Sequence, residues 1–324
     1  MNFFRCLPRA AALAVLLSSV AMTQAFANIS NVPQQPKAVS TSSAPKVVQK
    51  PILFEIQLPV PDGEAKPKKA IKAYVLASIH VAKADFYPLP ASVRKAYKAA
   101  DTLVVEADVT NQENNSEIVE KLSYIAPDKL ENHLTPNTWQ MLTQMTGAAS
   151  AQFQRYAPSM VAMGLTISVA QQLGYEPSFG LDLHFINQAR KDKKTIYELE
   201  GLGFQTDVLA ALSDAEGDAM LASTLETFRK GEVKAELNRM VEAWKAGDLE
   251  KLSKIMRDAG NRDIGSQKLM KALMDDRNPL MVEKITKMMR EEKKLFVVLG
   301  AGHFAGEASI LDILRQRGFS VKAL

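Results

Sequence analysis

The sequence predicts an α/β fold, a mixed and largely parallel sheet with an extensive helical layer or cap. Three observations predict it. Six short apolar or β-branched runs are spread over residues 52–324; long helical patterns separate most of them; and the first two are joined only by a Pro/Gly/Lys loop. Strands that alternate with helices need crossover connections, which make neighbouring strands parallel, whereas a short loop makes an antiparallel hairpin.

The hairpin comes first: "ILFEIQL" (52–58) and "KAYVLASI" (72–79) flank "PVPDGEAKPKK". In "PLPASVRKAYKAAD", Val93, Ala96, Tyr97 and Ala100 fall on one face of a helix. "TLVVEADV" (102–109), "KTIYELEG" (194–201), "KLFVVLG" (294–300) and "GFSVKAL" (318–324) supply strands three to six. Most of 111–190 and 205–293 reads as helix, the longest segments being "FQRYAPSMVAMGLTISVAQQLGY" and "SDAEGDAMLASTLETFRKGEVKAELNRMVEAWKAGDLEKLSKIM". Met141, Met145, Met160, Met163, Met240 and Met256 lie in these helices, where adaptable thioethers fill a core more readily than they form a soft-metal or haem box.

Composition sets the outer limits. The chain has 324 residues, 47% of them hydrophobic, enough to bury a sizeable core. Residues 1–27 carry Arg5 and Arg9, an apolar run and a small-x-small end at Ala25-Phe26-Ala27, which is the pattern of a cleaved signal peptide; it implies a periplasmic or secreted protein. Residues 28–50 are rich in Ser, Pro, Gln and Lys without periodicity and read as a disordered linker, leaving 51–324 as the folded domain. Cys6 lies before the apolar run and leaves with the signal, so the mature chain has neither a disulfide nor a cysteine nucleophile. A formal charge of +4, reduced by the two arginines of the signal, carries no nucleic-acid footprint, and "KPKK" at Lys66–Lys69 reads as a solvated turn. No apolar stretch beyond the signal is long enough to span a bilayer.

Ligand sites of open α/β sheets form at the carboxyl ends of the strands. His80 follows the second strand, Glu106 ends the third and His303 follows the fifth. Two imidazoles and a carboxylate are a donor set for a divalent metal that keeps a position open for water. Gly300 and Gly302 would let the backbone turn sharply and bring His303 into the crevice. Each residue has a plainer alternative, a hydrogen-bonded structural histidine or a carboxylate paired at the sheet edge, and their proximity depends on the strand order. His133, in "ENHLTP", reads as an exposed loop residue, and His184 shares a helix with core-facing Leu181 and Phe185. "GAGHFAG" is not a dinucleotide fingerprint, because its third glycine is one position late and only 18 residues follow Gly306.

Six motifs in order, "ASIHVAKADFYPLP", "TLVVEADV", "GLDLHFINQARKDKKTIYELEG", "AWKAGDLEKL", "DDRNPLMVEKI" and "FVVLGAGHFAGEASILDILRQRGFSV", resemble the TraB/PrgY/GumN family, which includes the Tiki proteases. The resemblance implies a metal-dependent hydrolase of peptidase type, built on two G-x-x-H motifs and a glutamate. On this sequence the second motif is Gly300 to His303, the glutamate is Glu106 and the first histidine is His80; Arg277 and Asn278 match an Arg-Asn pair, and Asp182 and Glu200 match acidic positions. One departure stands out: the first motif is Ala77-Ser78-Ile79-His80, with alanine in place of glycine. Alanine serves if small size is what matters there, but not if the backbone needs a positive φ.

The chemistry implied is a divalent metal, manganese, cobalt or zinc, held by His80, Glu106 and His303 and acting on a peptide or small-molecule substrate. Glu106 has general base as its alternative role, Arg277 the binding of a substrate carboxylate or oxyanion, and Glu200 the support of other site residues. Arg277 and Asn278 fit a helix N-terminal turn equally well, and Asp182 a helix dipole. The rival class is a non-catalytic binding module for a peptide, metal or haem; a scaffold for polysaccharide export is a third reading.

Overall fold

The computed structural model describes residues 50–59, 70–110, 115–291, 293–305 and 308–324. The expected signal peptide, nearly all of the expected linker, the "KPKK" run at Lys66–Lys69 and Gly306 lie outside the described residues.

All six strands form: β1 (Leu53–Gln57), β2 (Lys72–Ser78), β3 (Thr102–Val105), β4 (Thr195–Glu198), β5 (Leu295–Gly300) and β6 (Ser320–Ala323). They make one sheet in the order β4-β3-β5-β2-β1-β6. β2, β5, β3 and β4 run parallel, while β1 is antiparallel to both β2 and β6. The arrangement follows from composition. β3 and β5 are buried along their whole length, as strands covered on both faces must be, and β4 and β6 at the sheet edges are largely exposed.

Helices supply the crossovers. α1 (Ala91–Ala99) buries Val93, Ala96 and Tyr97, the face its spacing predicts. α2 (Asn115–Lys121), α3 (Pro136–Thr146) and α4 (Pro158–Gln172) follow, then α5 (Leu181–Lys191). After β4 come α6 (Leu202–Ala210), α7 (Asp214–Arg229), α8 (Val233–Ala246), α9 (Leu249–Gly260), α10 (Ile264–Met270) and α11 (Asn278–Arg290), and α12 (Ile310–Gln316) precedes β6. The long helical segment from Ser213 to Met256 is broken twice, by Gly231 at φ 68° and by Gly247 at φ 67°, which caps α8 in the left-handed conformation.

Two cores result. The larger surrounds the sheet; the smaller is the expected helical layer, where α3, α4, α7 and α10 pack around Leu142, Met160, Met163, Met220, Leu221 and Leu269. α4 belongs to both, which explains why it is apolar on every side. Met160, Met163, Met240 and Met256 are all buried core residues, and Met141 and Met145 pack against the smaller core, as the core-filling reading predicts. Trp244 of α8 stacks on Phe86 with centroids 5.4 Å apart and donates its indole N–H to the Ala77 carbonyl at 2.9 Å. That bond ties α8 to the carboxyl end of β2.

Candidate metal centre

The strand order brings the predicted residues to one edge. Ser78 of β2 is in register with Gly300 of β5, and Val298 of β5 with Val105 of β3. His80, Glu106 and His303 therefore leave three adjacent strand ends, and all are buried, at 6, 5 and 1% exposure.

Each histidine is held through Nδ1. His80 Nδ1 lies 2.7 Å from Asp182 Oδ2, while Ser78 Oγ donates to Asp182 Oδ1 at 2.9 Å. Asp182 sits in the first turn of α5, so it meets the helix dipole and orients the imidazole at once. The carboxylate can only accept, so Nδ1 carries the proton and Nε2 is left without a hydrogen-bond partner. Burial pushes the His80 pKa down, but the charge of Asp182, its hydrogen bond and the charge of Glu106 outweigh burial and raise it above the ordinary value. A positive charge at Nε2, whether a proton or a metal ion, is favoured there.

His303 repeats the arrangement with a neutral partner. Asn278 donates its amide N–H to the Ala308 carbonyl at 2.7 Å and is 3.4 Å from the His303 carbonyl, which turns Oδ1 toward the ring, 2.6 Å from Nδ1. Nδ1–H is thus the donor. His303 Nε2 is buried, makes no hydrogen bond and stands 3.3 Å from Glu106 Oε2.

Glu106 is the hub. Its Oε1 accepts the Gly300 N–H at 2.6 Å; its Oε2 accepts from Gln205 at 3.2 Å and from Arg277 Nη2 at 3.4 Å. Burial pushes its pKa up, but His303, Arg277 and His80 together hold the carboxyl well below the usual range. Arg277 is 1% exposed, and its guanidinium donates to the Leu273 carbonyl at 2.7 Å and, from Nε and Nη2, to Glu200 Oε2. Asn278 and Arg277 do open α11, but the ion pair there is buried rather than on the surface. Glu200 also donates its backbone N–H to the Glu106 carbonyl at 3.0 Å.

The expected role of the two glycines is corrected. Gly300 has φ −52°, and Gly302 is not among the residues with positive φ, so neither supplies a left-handed turn; His303 is carried in by a 3-10 turn at Ala301–Phe304. A Cβ at Gly302 would press on the flexible ends of Met274 at 2.7 Å and Met256 at 3.1 Å, which would have to shift. Ala77 has an ordinary strand backbone inside β2, paired with Leu299, so alanine fills the first motif without strain. The glycine that sequence reasoning missed is Gly180: a Cβ there would lie 2.2 Å from the His80 carbonyl oxygen, and this close approach seats Asp182 against His80. Gln205 was also missed; its signal was a lone amide in the first turns of α6, after the apolar "LGF".

The donor set fits a divalent ion. Two tautomer-fixed imidazoles present bare Nε2 atoms beside a buried carboxylate, the oriented-ligand pattern of metal-binding histidines. Ligands at ~2.0–2.1 Å around a tetrahedral ion stand roughly 3.3 Å apart, which matches His303 Nε2 and Glu106 Oε2. Among the described residues, however, no three His, Cys, Asp or Glu side chains stand as a ready coordination shell.

The other histidines lie elsewhere. His133 is not a loop residue exposed to solvent. It ends a 3-10 turn, stacks on Tyr124 at 4.1 Å and stands between Asp128 and Asp214 at 2.9 Å each. His184 is half-buried against Tyr87 and Phe185, as its helix position predicts. Beside the site, a groove of roughly 560 Å³ runs between β4, α6 and α11; Glu200 lines it, but neither His80 nor His303 does.

The profile of the TraB/PrgY/gumN family matches residues 65–323. The chain is 30% identical to the uncharacterized protein YbaP of Escherichia coli (strain K12) over 251 residues, covering 75% of this chain and 87% of that one. It is 22% identical to the metalloprotease TIKI2 of Xenopus tropicalis over 300 residues, 77% of this chain but only 57% of the relative. No solved structure matches significantly. Among the described residues no helix is long and apolar enough to cross a membrane. With most of its length matched by the family profile, the chain belongs to the TraB/PrgY/gumN family.

Proposed function

We propose that the protein is an exported, metal-dependent hydrolase of peptidase type, with residues 51–324 as its single folded unit and His80, Glu106 and His303 as its metal ligands. One observation carries this reading: two buried Nε2 atoms without hydrogen-bond partners, both turned inward by hydrogen bonds on the opposite nitrogen, at the strand ends that hold Glu106, with that of His303 3.3 Å from its carboxylate. A divalent metal held there, manganese, cobalt or zinc, supplies a water activated near neutral pH and a Lewis acid for a scissile carbonyl. The metalloprotease name of the TIKI relatives supports the same chemistry.

The protein's own residues have separable tasks. Asp182 and Asn278 fix the two imidazoles as Nε2 ligands. Glu106, held well below the usual carboxylate range, suits a ligand that stays ionised better than a general base, which works best with a pKa near the operating pH. Arg277 is committed to Glu200, Glu106 and the Leu273 carbonyl, so it positions the carboxylates instead of receiving the substrate. The buried Arg277–Glu200 pair is costly to break, because either partner alone leaves an uncompensated charge inside the protein.

A non-catalytic binder of peptide, metal or haem is favoured by one observation, the lack of a ready three-residue shell among the described residues. Turnover separates the two. The expected result is cleavage of a quenched fluorescent peptide library that needs added divalent metal and disappears in His303→Ala; peptide capture without cleavage at any metal concentration would favour the binder.

A further inference from the structure

The geometry points to the groove beside β4 as the docking site for an extended, uncharged stretch of polypeptide that adds to the sheet edge next to the metal centre. This deepens the hydrolase reading and rests on it for the fate of the bound chain, though not for the binding itself.

Three observations converge. First, β4 is the edge of the sheet and pairs only with β3 among the described residues. Thr195 N–H bonds to the Asp101 carbonyl and Leu199 N–H to the Val105 carbonyl, so by the alternation of a strand the backbone groups of Ile196 and Glu198 point away from the sheet. Such an edge is a template for an incoming strand.

Second, the groove is lined by exposed large hydrophobic side chains from three elements: Tyr197 of β4 at 40%, Phe204 of α6 at 44% and Leu280 of α11 at 56% exposure. Only three other large hydrophobics are exposed to this degree among the described residues, and none lines the groove. Clustered apolar exposure beside a free edge is the pattern of β-addition, in which main-chain hydrogen bonds supply affinity and pockets for alternate side chains supply selectivity.

Third, the charges of the groove cancel. Lys284, Lys287 and Lys293 face Glu200, Glu283 and Glu291, and Lys293 already pairs with Glu291 at 2.9 Å. A balanced wall selects against polyanions and polycations and fits a neutral segment. The groove also borders the site, linked to it through side chains. Glu200 at its end binds Arg277, whose Nη2 donates to both Glu200 and Glu106, and the Arg277 guanidinium lies 5.6 Å from the Phe204 ring. Because β4 is parallel to β3 and β5, its carboxyl end points to the same sheet edge as the metal ligands.

The test is binding of a fluorescein-labelled, N-acetylated and C-amidated probe, Thr-Phe-Thr-Val-Thr-Phe-Thr, to the full mature chain. Binding should weaken by at least about tenfold in Leu280→Asp and in Tyr197→Ser, because a carboxylate or a hydroxyl replaces an apolar contact. Both side chains are exposed, so the fold and the bound metal should be unchanged. The probe should also slow amide hydrogen exchange at Ile196 and Glu198, whose N–H groups point away from the sheet. His303→Ala should keep the probe affinity while losing metal, which separates failure of the metal centre from failure of the groove. Unchanged affinity in both groove variants would overturn the inference. So would a concentration-dependent dimer that Leu280→Asp disperses, because the groove would then belong to a second copy of the chain.

Discussion

Asn278 and His303 lie 25 residues apart in sequence, yet the Asn278 side-chain carbonyl sits 2.6 Å from His303 Nδ1 and leaves Nε2 of the buried ring facing Glu106 without a hydrogen bond. The helix that follows Arg277 thereby fixes the tautomer of a residue on another element. Asn278→Ala should weaken divalent metal binding by about 10- to 100-fold. It should also cost about 1–3 kcal/mol of stability, because the Ala308 carbonyl loses its donor. Isothermal titration with zinc and a thermal melt read the two effects separately; an unaltered metal affinity would remove Asn278 from the site.

Gly180 tests whether backbone contact seats the other histidine. Gly180→Ala places a methyl against the His80 carbonyl and cannot be relieved by a side-chain rotation. The expected loss is about 1–3 kcal/mol or more of stability, with weakened metal binding. Gly203→Ala, which meets nothing within 4 Å, is the control and should leave both unchanged.

Ala77 makes the opposite case. Restoring the family's glycine by Ala77→Gly should bring no gain in metal affinity, because β2 is regular there, and should cost about 0.5–1 kcal/mol from added chain freedom. A gain in affinity or turnover would show that the alanine obstructs the site.

His133 gives the pH dependence of stability outside the site. Burial pushes its pKa down, but hydrogen bonds and charge from Asp214 and Asp128 outweigh burial and raise it above the ordinary value of about 6.5. A group raised on folding stabilises fully below its unfolded pKa, and its contribution fades as pH rises through the folded pKa. Denaturant melts between pH 5 and 9 should therefore show stability falling above about pH 6.5, with a shallower fall in His133→Gln. Equal slopes in the two proteins would contradict this.

The elements were legible because the two periods differ. β3 and β5 announce themselves as unbroken apolar runs, and α1 by the spacing of Val93, Ala96 and Tyr97. The three strand-end residues could be named from position alone, but not their meeting, because strand order depends on long-range pairing such as Ser78 with Gly300. Arg277 was visible as a motif residue whose burial was not, since burial depends on packing against Glu200 and Phe204 from distant segments. Gly180 was hidden for the same reason. Its need for space comes from a backbone 100 residues earlier, whereas the glycines beside His303 drew attention because they were close in sequence.

The most direct test is elemental analysis of bound metal. Residues 28–324 would be reconstituted with manganese, cobalt or zinc, and wild type compared with His80→Ala and His303→Ala. The expected result is one divalent ion per chain in the wild type, lost in both variants while their circular dichroism is unchanged. A folded wild type that binds no ion, or binds it equally after both substitutions, would contradict the metal centre.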